Sequence, residues 1–172
     1  MDLIDASLGT RLHLWAPVRP GAHSRVVYVE DRLFQEINAA TDFRMGLLWN
    51  ELDHFSLGGL ITVGYGTEAT CMLKCLERQS DEVWELRCKD PQPQVRVFGR
   101  FRGTDLILAT HAVYRDQLGY PGQTKFDGNH WPTEILRCKN IWSQIFHGEP
   151  PHSGQTINDY ITQRVVEVGK LP

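Results

Sequence analysis

The sequence predicts an α+β fold: a strand and two helices, then an antiparallel three-strand meander and a C-terminal helix. Three observations carry this. Residues 82–89 and 94–102 alternate apolar and polar side chains with a period of two, the signature of half-buried strands. Asp90-Pro-Gln-Pro93 joins them as a turn, and Gly103-Thr-Asp105 makes a tight hairpin connection to the apolar run that follows. Met45, Leu48, Leu52 and Phe55 recur at helical intervals, as do Ile135, Cys138, Trp142 and Ile145. With 172 residues, 41% of them hydrophobic and 23% charged, the chain suits one domain with a real core.

Residues 1–24 contain Pro17, Pro20 and Gly21 and one short alternating patch from Arg11 to Trp15, so they read as an N-terminal extension. The domain proper spans 25–148. Ser24 to Glu30 is rich in β-branched and aromatic residues, as a strand should be. Asp31 to Ala40 follows as a helix with Leu33, Phe34 and Ile37 on one face. Asp42 is placed to cap a second helix running to about His54, which Gly58 and Gly59 stop. The segment from Ile61 to Ser80 is ambiguous between strand and loop, followed by a short helix that carries Cys71 and Cys75.

The three meander strands are Glu82 to Lys89, Gln94 to Arg102 and Leu106 to Tyr114. The last is more continuously apolar, as expected of a strand buried on both faces. A Gly- and Pro-rich loop from Asp116 leads to Pro132, which suits the first turn of a helix. Gly148 and Pro150-Pro151 end that helix. In the tail, 149–172, Ile157, Tyr160, Ile161, Val165 and Val168 fit one more helical stripe. In this arrangement the helices pack on one side of the sheet. The other side is left to Arg96, Arg100 and Arg102 of the middle strand.

The net charge of −3 argues against a general nucleic-acid binder, but the charge is polarised. Residues 1–60 hold eight acidic and five basic side chains, whereas Leu86 to Arg102 hold Arg87, Lys89, Arg96, Arg100 and Arg102 against Asp90. There is no basic leader and no long apolar run, so a cytoplasmic protein without membrane contact is expected. Cys71, Cys75, Cys88 and Cys138 then read as reduced, buried thiols, and no cysteine or histidine spacing suggests a metal site. No cofactor is expected.

The segments Glu82-Val-Trp-Glu-Leu-Arg87 and Val95-Arg-Val-Phe-Gly-Arg100 resemble the "glWELR … yRvfy" core of RelE/HigB-type toxins and their phage-derived relatives. Leu106 to Arg115 stands in the place of their last strand, and Thr133-Glu-Ile-Leu-Arg-Cys-Lys139 resembles the start of their C-terminal helix. The resemblance covers roughly residues 25–147 and implies a RelE/ParE-like fold. It further implies a toxin that cuts mRNA on the ribosome without a metal and is neutralised by a cognate antitoxin. Such cleavage needs a base for the 2′-hydroxyl proton, cations for the phosphate and an acid for the leaving oxygen. By resemblance, Arg96 and Arg87 match arginines of the two core strands, while Tyr114 and Arg115 sit near the basic pair that closes the last one. The chemistry adds His111 as a base or acid and Arg100 as a phosphate ligand. The catalytic set is therefore Arg96, His111, Tyr114 and Arg115, and the RNA-binding set is Arg87, Lys89, Arg100 and Arg102. Overall acidity and a last strand ending Tyr-Arg-Asp depart from the family pattern.

Each residue also has a structural reading. Arg87 can pair with Glu85 or Asp90, and arginines at alternate positions are commonly the wet side of a sheet. Alternation puts His111 with Ile107 and Ala109 in the core. Tyr114, Phe98 and Trp131 can be packing aromatics. Two other functions fit the same residues: a non-enzymatic binding module, whether gyrase-targeting or an adaptor, and a phage structural or assembly protein.

Overall fold

A computed structural model of the chain describes residues 11–17, 24–65, 70–77, 81–88, 94–119 and 130–168. The described residues form one eight-stranded mixed sheet with three helices. The strands are β1 (Leu12–Leu14), β2 (Val26–Glu30), β3 (Ile61–Tyr65), β4 (Leu73–Glu77), β5 (Val83–Cys88), β6 (Val95–Gly103), β7 (Leu106–Tyr114) and β8 (Val165–Val168). The helices are α1 (Asp31–Ala39), α2 (Phe43–Ser56) and α3 (Trp131–Phe146). Across the sheet the order is β1-β2-β7-β6-β5-β4-β3-β8.

This overturns the expected strand-helix-helix, three-strand meander and terminal helix. The segments at β5, β6 and β7 do form consecutive antiparallel neighbours, but they are the middle of a much larger sheet. β2 joins β7 in parallel, β4 joins β5 antiparallel, and β3 adds to β4 in parallel. β1 and β8, drawn from the two terminal extensions, complete the edges. The ambiguous segment is thus two strands, and Cys75 lies on β4 where a helix was expected. The tail stripe is a short 3-10 turn, Ile157–Asp159, followed by β8. Ile157, Tyr160 and Ile161 are buried all the same: they join the main core cluster without a helix, and Tyr160 packs on Trp84 and Phe101.

The placement of the helices also differs from the one-sided expectation. Leu33 and Ile37 of α1 and Leu48, Leu52 and Phe55 of α2 pack with Val97, Phe101, Ile107 and Ala109 on one sheet face. On the other face Cys138 of α3 meets Val83 and Phe98, while Trp142, Ile145 and Phe146 meet Leu12 and Leu108. The sheet is therefore covered on both sides. Glu30 starts α1 by accepting from the Arg32 and Leu33 amides, satisfying donors that a helix N-terminus leaves open. At the end of α2, Gly58 takes a left-handed φ of 73°, and a Cβ there would collide with Ser24. All four cysteines are buried, and none is in a disulfide.

Candidate functional site

The arginine row lies on the sheet face that carries α3, and Arg100 meets Trp142 of that helix. Arg87, Arg96 and Arg100 are only 8%, 6% and 6% exposed. Arg87 donates through Nε to Glu85, which is itself fully buried, and Arg96 Nε lies 3.8 Å from the same carboxylate oxygen. Arg87 and Arg96 face each other directly across β5 and β6, so Glu85 separates two cations that would otherwise repel in a low dielectric. Arg100 lies 5.2 Å from the Trp142 ring centre and donates to the Asp81 carbonyl. Burial lowers both Arg96 and Arg100 from the usual guanidinium value. Only Arg102 reaches solvent, where it stacks on Phe146 and pairs with Glu149. Lys89 lies outside the described residues.

The other expected catalytic residues are dispersed. Tyr114 points to the α1–α2 side and donates to Asp42 Oδ2 at 3.0 Å. Arg115 begins a short 3-10 turn, donates to the Gly119 carbonyl at 2.6 Å and sits over Trp131. His111 is on neither the face nor the cluster that alternation assigned to it. The β6–β7 register slips between Phe98 and Gly99, where His111 pairs with Phe98 but Ala109 pairs with Gly99. Thr110 is the extra residue of a β-bulge, which turns His111 away from Ile107 and Ala109 and towards α3. Its ring stacks on Phe98 at 4.8 Å with the planes only 6° apart.

His111 also helps line a cleft of about 850 Å³. This cleft opens at the carboxyl ends of the parallel strands β2 and β7, the edge of an α/β sheet where ligands characteristically bind. Beyond Ala109, β7 has no β2 partner, so α1 and α3 stand apart as its walls. α1 supplies Asp31, Arg32 and Glu36, and α3 supplies Thr133, Arg137 and Asn140.

Glu134, in the first turn of α3, brings Oε2 to 3.0 Å from His111 Nε2 and 3.6 Å from Arg137 Nη1. Yet neither Nε2 nor Oε2 makes a well-directed hydrogen bond among the described residues, and both atoms are shielded from water. Buried polar atoms left without partners are rare in folded proteins. Burial, helped by the Arg137 charge, pushes the His111 imidazole down to about 3, so its neutral form prevails near neutral pH. With its proton affinity this low the imidazole takes a proton only in passing, and the guanidinium beside it is the group suited to a bound anion.

Sequence reasoning reached His111 but not Glu134, Arg137 or Thr110. The i, i+3 spacing of Glu134 and Arg137 was readable, since it puts both on one side of a helix. That this side meets β7 was not. Among the described residues no group of three or more His, Cys, Asp and Glu is placed to hold a metal ion, and no helix is long and apolar enough to cross a membrane. Compared with known proteins, the chain matches no family model, no curated protein and no solved structure.

Proposed function

We propose that the protein is an RNA-cleaving toxin whose chemistry resides in the α1–α3 cleft and not on the arginine row. The supporting observation is the His111–Glu134–Arg137 cluster, which unites a proton acceptor, a carboxylate and a cation beside an open cleft. In this reaction the 2′-hydroxyl proton passes to the His111–Glu134 pair as the 2′-oxygen bonds to phosphorus. The P–O5′ bond breaks, the 5′-oxygen takes a proton from water, and Arg137 bears the charge on phosphate. Translating ribosomes would present the mRNA, and a partner antitoxin would hold the activity in check; the sequence resemblance supports both.

A second reading, a protein-binding module, is favoured by the charge of the cleft. Arg11, Arg32 and Arg137 are matched there by Glu30, Asp31 and Glu36, a balance better suited to a mixed-charge peptide than to a polyanion. One experiment separates the two. Purified protein is added to a cell-free translation reaction and mRNA 5′ ends are mapped with and without ribosomes. New ends that disappear with His111→Ala and Glu134→Gln but persist with Arg102→Ala support the enzyme. Intact mRNA at stoichiometric protein overturns it and leaves the binding module.

A further inference from the structure

We infer that β1 is a pH-sensitive latch across the α1–α3 cleft, closed while His13 is protonated against Asp31 and loosened when that proton leaves. The inference concerns regulation of the cleft and rests on reading the cleft as the working site.

β1 and the residue before it touch both walls. Arg11, which lines the cleft, accepts the Asp31 amide of α1 on its carbonyl at 3.0 Å and donates through Nη1 to the Gln144 carbonyl of α3 at 3.3 Å. Leu12 is buried in the cluster of Trp142, Ile145 and Phe146 on α3. His13 turns the other way, as strand alternation requires. Its ring stacks on Phe34 of α1, with centres 4.0 Å and planes 6° apart, and donates through Nε2 to Asp31 Oδ1 at 2.6 Å. One short strand therefore ties α1 to α3.

The two ends of this tie differ in strength. The Arg11–Gln144 bond is exposed and long, and among the described residues β1 pairs only with β2. At the far end Trp15 is 1% exposed, donates through its indole to Asp53 and bonds the Val27 carbonyl through its amide. The strand can thus open locally from Arg11 while it stays anchored at Trp15.

His13 sets how readily it opens. A neutral imidazole still donates to Asp31, but protonation makes the contact an ion pair, and charge-assisted bonds are roughly twice as strong as neutral ones. The bond from His13 is the chief cause holding the Asp31 carboxyl below its usual range, with Gln35 adding to it. By linkage the same contact favours the protonated imidazole. The latch is therefore tightest above the pH at which Asp31 gains a proton and below the pH at which His13 loses one. Histidine changes charge between about pH 5 and 8, and His13, 32% exposed, is open to solvent protons. The other charges about the pair are Glu30 of β2, Arg32 of α1 and Arg11 of the strand itself. Glu30 is occupied by the Arg32 and Leu33 amides, so Asp31 is the acid that meets the ring.

The test is amide hydrogen exchange of the full chain at about pH 5.5 and 7.5, corrected for the intrinsic pH dependence of exchange. The Asp31 amide should be protected roughly threefold more at the lower pH, and the Trp15 amide equally at both. His13→Phe keeps a ring on Phe34 without the proton and should abolish the difference, as should Asp31→Asn. Methyl shifts of Leu33 and Ile141, which line the cleft, should follow the same pH midpoint and stop titrating in His13→Phe. His111 does not confound this, since it keeps one charge state over the range. Equal protection of Asp31 at both pH values, a difference that survives both substitutions, Trp15 changing in step with Asp31, or cleft methyls that ignore pH would each overturn the inference. A pH-dependent latch in a protein that cuts no RNA upholds it and sinks the nuclease reading alone.

Discussion

Replacing Glu85 by Gln tests whether the arginine row is part of the fold. Glu85 is fully buried, Arg87 donates to its Oε1, and Arg96 Nε is 3.8 Å from the same oxygen. Lys74 sits opposite it on β4, so cations from three adjacent strands gather around this carboxylate. Glutamine keeps the shape and one acceptor while removing the charge. Breaking a buried ion pair from one side typically costs about 3–5 kcal/mol, because the remaining charge stays desolvated. Here the retained acceptor pulls towards the lower end, whereas two dependent arginines pull towards the upper. A loss of about 3–4 kcal/mol is therefore expected, seen as a melting temperature roughly 6–16 °C lower for a domain of this size. The assay is urea unfolding followed by tryptophan fluorescence, since Trp142 is buried against Arg100 and Trp84 is buried on the other face of the sheet. The control is Arg102→Ala: with Arg102 and Glu149 substantially exposed, it should cost less than about 1 kcal/mol. A Glu85→Gln protein within about 1 kcal/mol of wild type would refute the reasoning, because it would mean that the arginines find water or each other tolerable.

Two further outcomes follow from the bulge and the histidine it carries. The unfolded chain takes up a proton at His111 near the ordinary value of 6.5, but the folded chain does so only at about 3. Stability from this group is therefore complete above pH 6.5 and is lost progressively down to about pH 3, amounting to roughly 3–5 kcal/mol. Urea midpoints at intervals from pH 7 to 4 should fall less steeply in His111→Gln than in wild type, and parallel curves would refute the assignment. At Gly99 a Cβ would meet the Leu108 carbonyl oxygen at 2.4 Å, so Gly99→Ala must part the strands beside the slip in register. A loss of about 1–3 kcal/mol in the same unfolding assay is expected, and an unchanged midpoint would show that the bulge absorbs the methyl group.

The sequence alone determined the local elements whose signals are short-range. The alternation in 82–88 and 94–102 follows from the strand pleat, and the helical stripes of residues 31–39, 43–56 and 131–146 follow from the 3.6-residue repeat. It also placed His111 and the arginines on strands, and marked 26–30 as a strand by composition. It did not determine the size of the sheet. Leu12–Leu14, Leu73–Glu77 and Val165–Val168 become strands because the edges beside β2, β5 and β3 supply backbone partners, a long-range condition that the short patch at 11–15 and the ambiguous run at 61–80 only hint at locally. Nor did it show that α3 packs on the face that carries Phe98 and Arg100, or that Glu85, Arg87 and Arg96 form a buried network on that face. Strict alternation put His111 in the wrong layer, since one extra residue at Thr110 inverts the side of everything beyond it. The meeting of His111 with Glu134, 23 positions along the chain, belongs wholly to the tertiary structure. It exists only because the bulge points the ring at the one turn of α3 where a carboxylate stands within 3.0 Å.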